Sequence, residues 1–372
     1  MEAKFLIRSS LSLLFRRRLI FHFDRIPMQA RGISRRKLFN LAKIGLNRLL
    51  PIAHTLGYPY MAHIAPSGVC DLRCDQCPSS APDTQGRQLL AFETFKKFID
   101  ETADYLLYII LWSWGEPLLN PDLFRMIAYA RQKNILSVTS SNLNRLTRED
   151  ARRLVSSGLD ALIVALDGTS SETHARQRIG GDFPRVIDNI RLLMEEKRLA
   201  GSQRPIVNLR MVVSRENEEE VEPFWHLAKD LGVDMVSIKA FSTRQSGCSD
   251  PEIDRRVVPR ETKYRWYRYH PDFTTDKQQK KYKCRFPWTK PTLFADGTVV
   301  SCEFDLTYTH PFGNIDQSSF DELWFNPQAE EFRRNFQKNR DAYEFCRDCV
   351  YDHKLIDGCV LEWEYLTDAA KP

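Results

Sequence analysis

The chain has 372 residues, 42% of them apolar and 28% charged, with a formal net charge of +5. That length can bury a sizeable core in one large or two medium domains, and the composition excludes a disordered or fibrous protein. Nine cysteines fall in sparse groups. In an intracellular protein such groups read as metal or iron–sulfur ligands and not as a disulfide framework.

Charge is concentrated at the start. Residues 1–50 hold twelve Lys and Arg against Glu2 and Asp24, a balance of +10, so the remainder carries −5. The apolar stretch Leu11 to Phe15 is short and is cut by Arg16-Arg17-Arg18, unlike a secretory signal. No run approaches the roughly 18 apolar residues that span a bilayer. Leu38, Phe39, Ala42, Leu46, Leu49 and Leu50 recur at helical spacing, with Lys37, Asn40, Lys43, Asn47 and Arg48 opposite. The pattern predicts a basic amphipathic helix over 34–50. Such a helix either caps the next domain with a solvated basic face or lies on an anionic membrane surface. Nucleic-acid binding is not expected, because no recognisable module surrounds the basic run. The first 58 residues show no β-hairpin pattern.

From residue 59 to about 245 strand-like and helix-like segments alternate. Apolar β-rich runs fall near 60–66, 107–113, 135–139, 161–166, 206–213 and 234–240. Helical patterns lie between them, near 91–104, 121–133, 147–157, 183–199 and 217–231, with Thr147 and Asn217 as expected N-caps. This alternation predicts a parallel sheet with helices outside it. Six units make an open barrel, and the sequence supplies no further unit after Phe241.

Just after the first strand comes Cys70-Asp71-Leu72-Arg73-Cys74-Asp75-Gln76-Cys77, a C-x3-C-x2-C spacing. Three thiolates leave one iron of a four-iron cubane open. Zinc usually takes two CxxC pairs or CxxC with histidines, and neither follows nearby. One unit later, Trp114-Gly115-Glu116-Pro117 follows an apolar strand. Ser137-Val138-Thr139-Ser140-Ser141-Asn142 ends the next run, and Leu166-Asp167-Gly168-Thr169 precedes Arg178-Ile179-Gly180-Gly181.

The order of these segments resembles the radical S-adenosylmethionine (radical SAM) family. The resemblance implies a [4Fe–4S] cluster on Cys70, Cys74 and Cys77 whose open iron takes the amino and carboxylate groups of SAM. It implies reductive cleavage of SAM to methionine and a 5′-deoxyadenosyl radical, with an external donor such as flavodoxin or ferredoxin. Gly115, Glu116 and Pro117 match the Gly-Gly-Glu-Pro element, with Trp114 in place of its first glycine, so Glu116 is expected near the methionine amino group. Ser140 and Asn142 match a strand end that contacts SAM. Arg178 is expected at the SAM carboxylate, with Arg176 a possible substitute. The family's serine at that contact is here Ala165.

Residues 246–283 break the alternation and read as a linker across the barrel mouth. They hold Cys248, expected to be a bystander, and the aromatic-basic stretch Tyr264 to His270. Beyond them lie Cys284, Cys302, Cys346, Cys349 and Cys359, with Asp296-Gly297 as an expected hairpin turn. The pattern C-x12-G-x4-C followed by CxxC resembles the SPASM/twitch extension of radical SAM enzymes. A full SPASM domain has seven cysteines; five thiolates cannot hold two cubanes. One auxiliary [4Fe–4S] cluster is therefore expected, on Cys284, Cys302, Cys346 and Cys349, with Cys359 a possible replacement. A four-cysteine zinc site is the alternative.

Together these readings give an α/β chain: a partial (β/α)6 TIM-like barrel with a small C-terminal SPASM/twitch-like Fe–S domain. The expected divisions are a basic N-terminal segment at 1–58, the barrel at 59–245, the linker at 246–283 and the auxiliary-cluster domain at 284–372. The expected activity is hydrogen abstraction from a small-molecule or lipid-like substrate by a cytoplasmic enzyme, with peripheral membrane association as the alternative placement. The alternatives are a peptide-modifying maturase and a non-catalytic electron carrier.

Overall fold

The computed structural model describes residues 13, 16–50, 53–75, 77–80, 87–242, 251–276, 284–347, 349–353 and 359–371. Six parallel strands form its centre: β3 (Met61–Ile64), β4 (Tyr108–Leu111), β5 (Leu136–Ser141), β6 (Ala161–Ala165), β7 (Ile206–Val213) and β8 (Met235–Ala240). Each falls on an apolar run of the sequence, and the helices Phe92–Thr102, Leu123–Gln132, Arg148–Ser156, Phe183–Leu199 and Val221–Asp230 lie between them. Thr147 caps its helix in a reciprocal box with Asp150. Asn217 does not cap. Its side chain accepts from Ser214 N and donates to the carbonyls of Asp167 and Val212, bracing two loops.

Alternate residues of the strands serve two cores. Ala62, Ile64, Ile109, Leu111, Leu162, Val164, Val207 and Leu209 pack against the helices, whereas Ile110, Leu136, Val138, Ala161, Ile163 and Met235 fill the lumen.

The C-terminal segment clasps both edges of this open barrel. β9 (Thr292–Leu293) runs parallel to β3, and β10 (Thr298–Val300) and β11 (Pro311–Asn314) extend the sheet beyond it. The turn between β9 and β10 uses Gly297 at φ +84°. At the other edge β12 (Val360–Tyr365) pairs antiparallel with β8. Neither edge of the parallel sheet is left unpaired, which removes a template for aggregation.

One expectation fails here. The start of the chain does contain a β-hairpin, β1 (Leu19–Phe23) with β2 (Ile26–Ala30). Asp24 and Arg25 both take positive φ, 47° and 68°, as a two-residue hairpin turn requires. Asp-Arg lacks the glycine that usually marks such a turn, so no local residue pattern announces it. Ile26, Met28 and Ala30 enter the lumen core and plug the barrel.

Candidate functional site

The C-terminal ends of parallel barrel strands are where such folds place chemistry, and the sequence segments singled out above meet there. The loop after β3 carries Cys70, Cys74 and Cys77. It is tied to the loop after β4 by Glu116 N donating to Val69 O at 2.8 Å. A side chain at Gly115 would stand 2.2 Å from Ser67 O, so only glycine lets the two loops touch. Asp71, inside the cysteine loop, accepts from Asn142 Nδ2 at 3.0 Å, Asn144 Nδ2 at 2.9 Å and Arg145 Nε at 3.2 Å. Arg73 N donates to Ile179 O at 2.9 Å. Three segments far apart in sequence therefore hold this loop. Asp71 and Asn144 were missed in the sequence, where an acid and an amide on loops announce nothing.

Glu116 is buried. Its carboxylate accepts from Leu118 N at 3.0 Å, Ser141 Oγ at 2.8 Å and Asn142 N at 2.9 Å. It braces the β4 and β5 ends, with three of about four lone-pair positions taken. Burial pushes its pKa up to about 7, against the pull of those three donors. Pro117 starts the short turn that Glu116 caps. Ser140 lies half-buried on the lumen-facing side of β5, in register with Leu136 and Val138. The hydroxyl that bonds to Glu116 is its neighbour Ser141.

Arg178 donates from Nε to Asp167 Oδ2 at 2.6 Å, and Asp167 accepts from Val212 N at 2.8 Å. Arg178 borders the cavity with its charge next to Cys74, whose thiol burial raises and Arg178 pulls back. Arg176 also borders the cavity but is exposed and pairs with Glu172. Cys70 is pushed up to about 12 by burial, although Leu72 N donates to its sulfur at 3.4 Å. A metal bound here would take these thiols as thiolates, releasing their protons.

Of these groups Cys74, Cys77, Asp167, Arg176 and Arg178 line a cavity of ≈ 570 Å³ in the barrel lumen, whereas Cys70, Glu116, Ser140 and Asn142 do not. Its wall carries Cys74, Cys77, Trp112 and Tyr108, and the hairpin tip adds Phe23 and Asp24. Asp24 Oδ2 accepts from Arg210 at 2.8 Å. Lys239 points into the same space.

The second group is closed. Cys284, Cys302, Cys346 and Cys349 line one small pocket walled by Phe286, Phe304, Phe336 and Phe345. Burial drives the Cys284 thiol up to about 12 and raises those of Cys302 and Cys346. Among the described residues no three or more His, Cys, Asp or Glu converge to hold one metal ion. The four thiols share the lining of this pocket, four donors of the kind that hold an iron–sulfur cluster or a zinc ion.

Cys359, expected as a possible member, is not in this group. It precedes β12, whose pairing with β8 carries it into the barrel cavity, and its sulfur lies 3.4 Å from Asp24 Oδ1. Cys248 lies outside the described residues. The aromatic stretch of the linker packs as expected: Tyr264, Trp266 and Tyr267 are buried, and Trp266 borders the cavity.

Two residues join the sites. Trp114, which stands where the family has glycine, donates from Nε1 to Glu303 O at 3.2 Å, beside Cys302. The Glu303 carboxylate takes both bonds of Lys290, at 2.7 and 2.8 Å, and lies 3.8 Å from His63 Nδ1. Burial opposes its charge, but Lys290 and His63 hold its pKa well below the usual range.

Fold and site together define an iron–sulfur enzyme of the radical SAM class. Residues 64–228 match the model of the radical SAM superfamily, and residues 284–350 match that of an iron–sulfur cluster-binding domain, SPASM. The chain belongs to the radical SAM superfamily and carries a SPASM domain. Its cofactors are accordingly SAM, a [4Fe–4S] cluster and auxiliary Fe–S ligation in the SPASM domain. It is 29% identical over 324 residues to the AdoMet-dependent heme synthase of Methanosarcina barkeri, covering 78% of this chain and 88% of that protein. It is 26% identical over 178 residues to the mycofactocin maturase MftC of Mycobacterium tuberculosis, 48% of this chain and 43% of that one. Among solved structures it resembles Streptococcus suis SuiB bound to the precursor peptide SuiA, with a TM-score of 0.57, 16% identity and coverage of 80% and 70%. It also resembles anSMEcpe with bound AdoMet and a peptide, with a TM-score of 0.52, 17% identity and coverage of 84% and 94%.

Proposed function

We propose that the chain abstracts a hydrogen atom from a small molecule, polar at one end and apolar or lipid-like at the other, bound in the barrel cavity. The observation that carries this reading is the convergence of three loops on the loop of Cys70, Cys74 and Cys77 at the rim of a lumen that is otherwise plugged. Cys70, Cys74 and Cys77 would hold a cluster with one iron open. Gly115, Glu116, Pro117, Ser140, Asn142 and Arg178 would surround SAM beside it. Cluster and SAM together supply a 5′-deoxyadenosyl radical when bound there. Arg178 offers its guanidinium to a carboxylate while Asp167 fixes its direction. Trp112, Tyr108 and Phe23 keep water from the cavity wall, and Lys239 offers a cation to the substrate.

Cys284, Cys302, Cys346 and Cys349 would hold a single auxiliary cluster, closed by four thiolates and so suited to electron transfer or structure. The expected boundaries at 59–245, 246–283 and 284–372 serve as the domain organisation of this reading. It also implies a cytoplasmic enzyme fed by flavodoxin or ferredoxin. No helix of the described residues is long and apolar enough to cross a membrane.

A peptide substrate is the second reading, favoured by the similarity to the mycofactocin maturase. Anaerobic incubation with SAM and dithionite tests the enzyme class. Formation of 5′-deoxyadenosine is expected, and its absence from a fully iron-loaded protein would leave an electron carrier. Adding candidate small molecules or peptides and following deuterium transfer into 5′-deoxyadenosine separates the two substrate readings.

A further inference from the structure

The Arg35–Leu49 helix seats Leu38, Leu41 and Ile44 on the barrel but leaves a second apolar stripe outward. Phe39, Leu46, Leu49 and Leu50 are 65%, 46%, 81% and 41% exposed, whereas Lys37, Asn40 and Asn47 on the opposite side are buried. The burial of these three polar side chains has a cause in hydrogen bonding. Lys37 Nζ donates to Asn134 O at 2.9 Å. Asn40 bonds to both the N–H and the C=O of Tyr58, at 2.8 and 2.9 Å. Asn47 donates to His54 O at 2.8 Å and accepts from Leu56 N at 2.5 Å. Residues 53–58 have no sheet or helix partner for those backbone groups, so the polar face of the helix satisfies them. The apolar stripe is what remains outside.

Exposed large apolar side chains are scattered elsewhere on the described surface, but three of the eight lie on this one helix and a fourth, Leu50, caps it. Arg35 and Lys43 are exposed along the same helix, and Lys43 sits 4.9 Å over the Phe39 ring. The segment that contains the helix carries +10. An isologous contact between two copies would set these cations against each other. An anionic surface with an apolar interior would meet both the stripe and its charge.

We propose that this face docks the enzyme on an anionic lipid surface. The helix contacts chain just before β3, β4 and β5, through Tyr58, the Arg36–Asp104 pair and Asn134. It therefore lies across the end of the barrel opposite the cysteine loops. Docked this way, the enzyme turns its mouth toward solvent and a soluble electron donor. The inference does not depend on the reading of the cavity.

The test is flotation of the iron-loaded full-length protein with vesicles of phosphatidylcholine alone or mixed with phosphatidylglycerol. Binding is expected only to the mixed vesicles, weakening as salt rises. The triple variant Phe39→Ser/Leu46→Ser/Leu49→Ser should bind roughly tenfold more weakly. Its melting temperature and SAM cleavage should stay unchanged, because these side chains face solvent. Equal flotation of variant and wild type, or equal binding to neutral vesicles, would overturn the proposal. So would a wild-type dimer that the triple variant loses without any vesicle binding, which would make the face a protein contact.

Discussion

The two cysteine groups differ in what surrounds them. Cys74 and Cys77 stand at the rim of a lumen, on a loop with Cys70 that is held by polar bonds from three other loops. Cys284, Cys302, Cys346 and Cys349 are packed among phenylalanines in a pocket too tight for anything but their own ligand. One group leaves room beside it for an organic cofactor and a substrate; the other excludes both. The number of thiols and the access to them agree, and the agreement supports the proposal that the first group serves the reaction and the second electron handling or stability.

The sharpest way to break this contrast is to empty one group at a time. Anaerobically reconstituted protein should hold about eight irons per chain by the count of seven cysteine ligands. Cys70→Ala/Cys74→Ala/Cys77→Ala should keep about half of that iron and form no 5′-deoxyadenosine. Cys302→Ser should lose the other half and retain some SAM cleavage, with less turnover of substrate. Iron near twelve in the wild type, or zinc at the C-terminal group, would undo the assignment; elemental analysis reads both.

Cys359 sharpens the comparison, because sequence alone groups it with the closed set and the structure sets it beside Asp24 in the open one. Cys359→Ser should keep all of the iron, about eight per chain, while altering turnover of whatever substrate occupies the cavity. Loss of about four irons would return it to the auxiliary cluster.

Why Cys359 was misplaced shows where a sequence stops being readable. The strand–helix alternation, the three-cysteine loop and the Gly115-Glu116-Pro117 turn were legible because local spacing decides each of them. β12 was not, since its partner β8 is about 120 residues away along the chain. The Asp24-Arg25 turn was not, since it takes positive φ without a glycine. The helix expected over 34–50 is present at 35–49, but Lys43, expected opposite the apolar stripe, lies on it over Phe39, and Leu38, expected in the stripe, packs inward. Which face is buried depended on the unpaired backbone at Tyr58, Leu56 and His54, which no periodicity reveals.

A third test uses the buried Glu303 between the groups. Glu303→Gln removes the charge that pairs with Lys290 and leaves that ammonium buried alone. The expected loss is about 3–5 kcal/mol in anaerobic urea unfolding. The sign of its pH dependence follows from its depressed pKa. The pair's stabilisation is present above about 4.5, the ordinary glutamate value, and fades as pH falls below it. A variant as stable as the wild type at pH 7 would show that the pair does not link the sites.

Glu116 is the counterpart at the open site, and the expected effect is smaller and opposite in sign. Its partners are neutral donors, not a cation, so burial wins and the pKa rises to about 7. Between about 4.5 and 7 the folded chain keeps a proton that the unfolded chain has released. Its contribution to stability is therefore complete below about 4.5 and declines as pH rises toward 7. Glu116→Gln resembles the protonated acid in charge but turns an NH2 toward the N–H of Leu118 or Asn142, both of which need an acceptor. The cost should be about 1–3 kcal/mol, with weaker SAM binding because the β4 and β5 ends lose their common brace. The gap between wild type and variant should be widest near pH 5 and narrow toward pH 7, as the wild type takes on a buried charge that the variant never carries. Urea unfolding across that range reads the gap. A gap that widens with pH would mean that Glu116 is ionised in the fold, poised for a cation such as the SAM ammonium group, and the brace would then be secondary to binding.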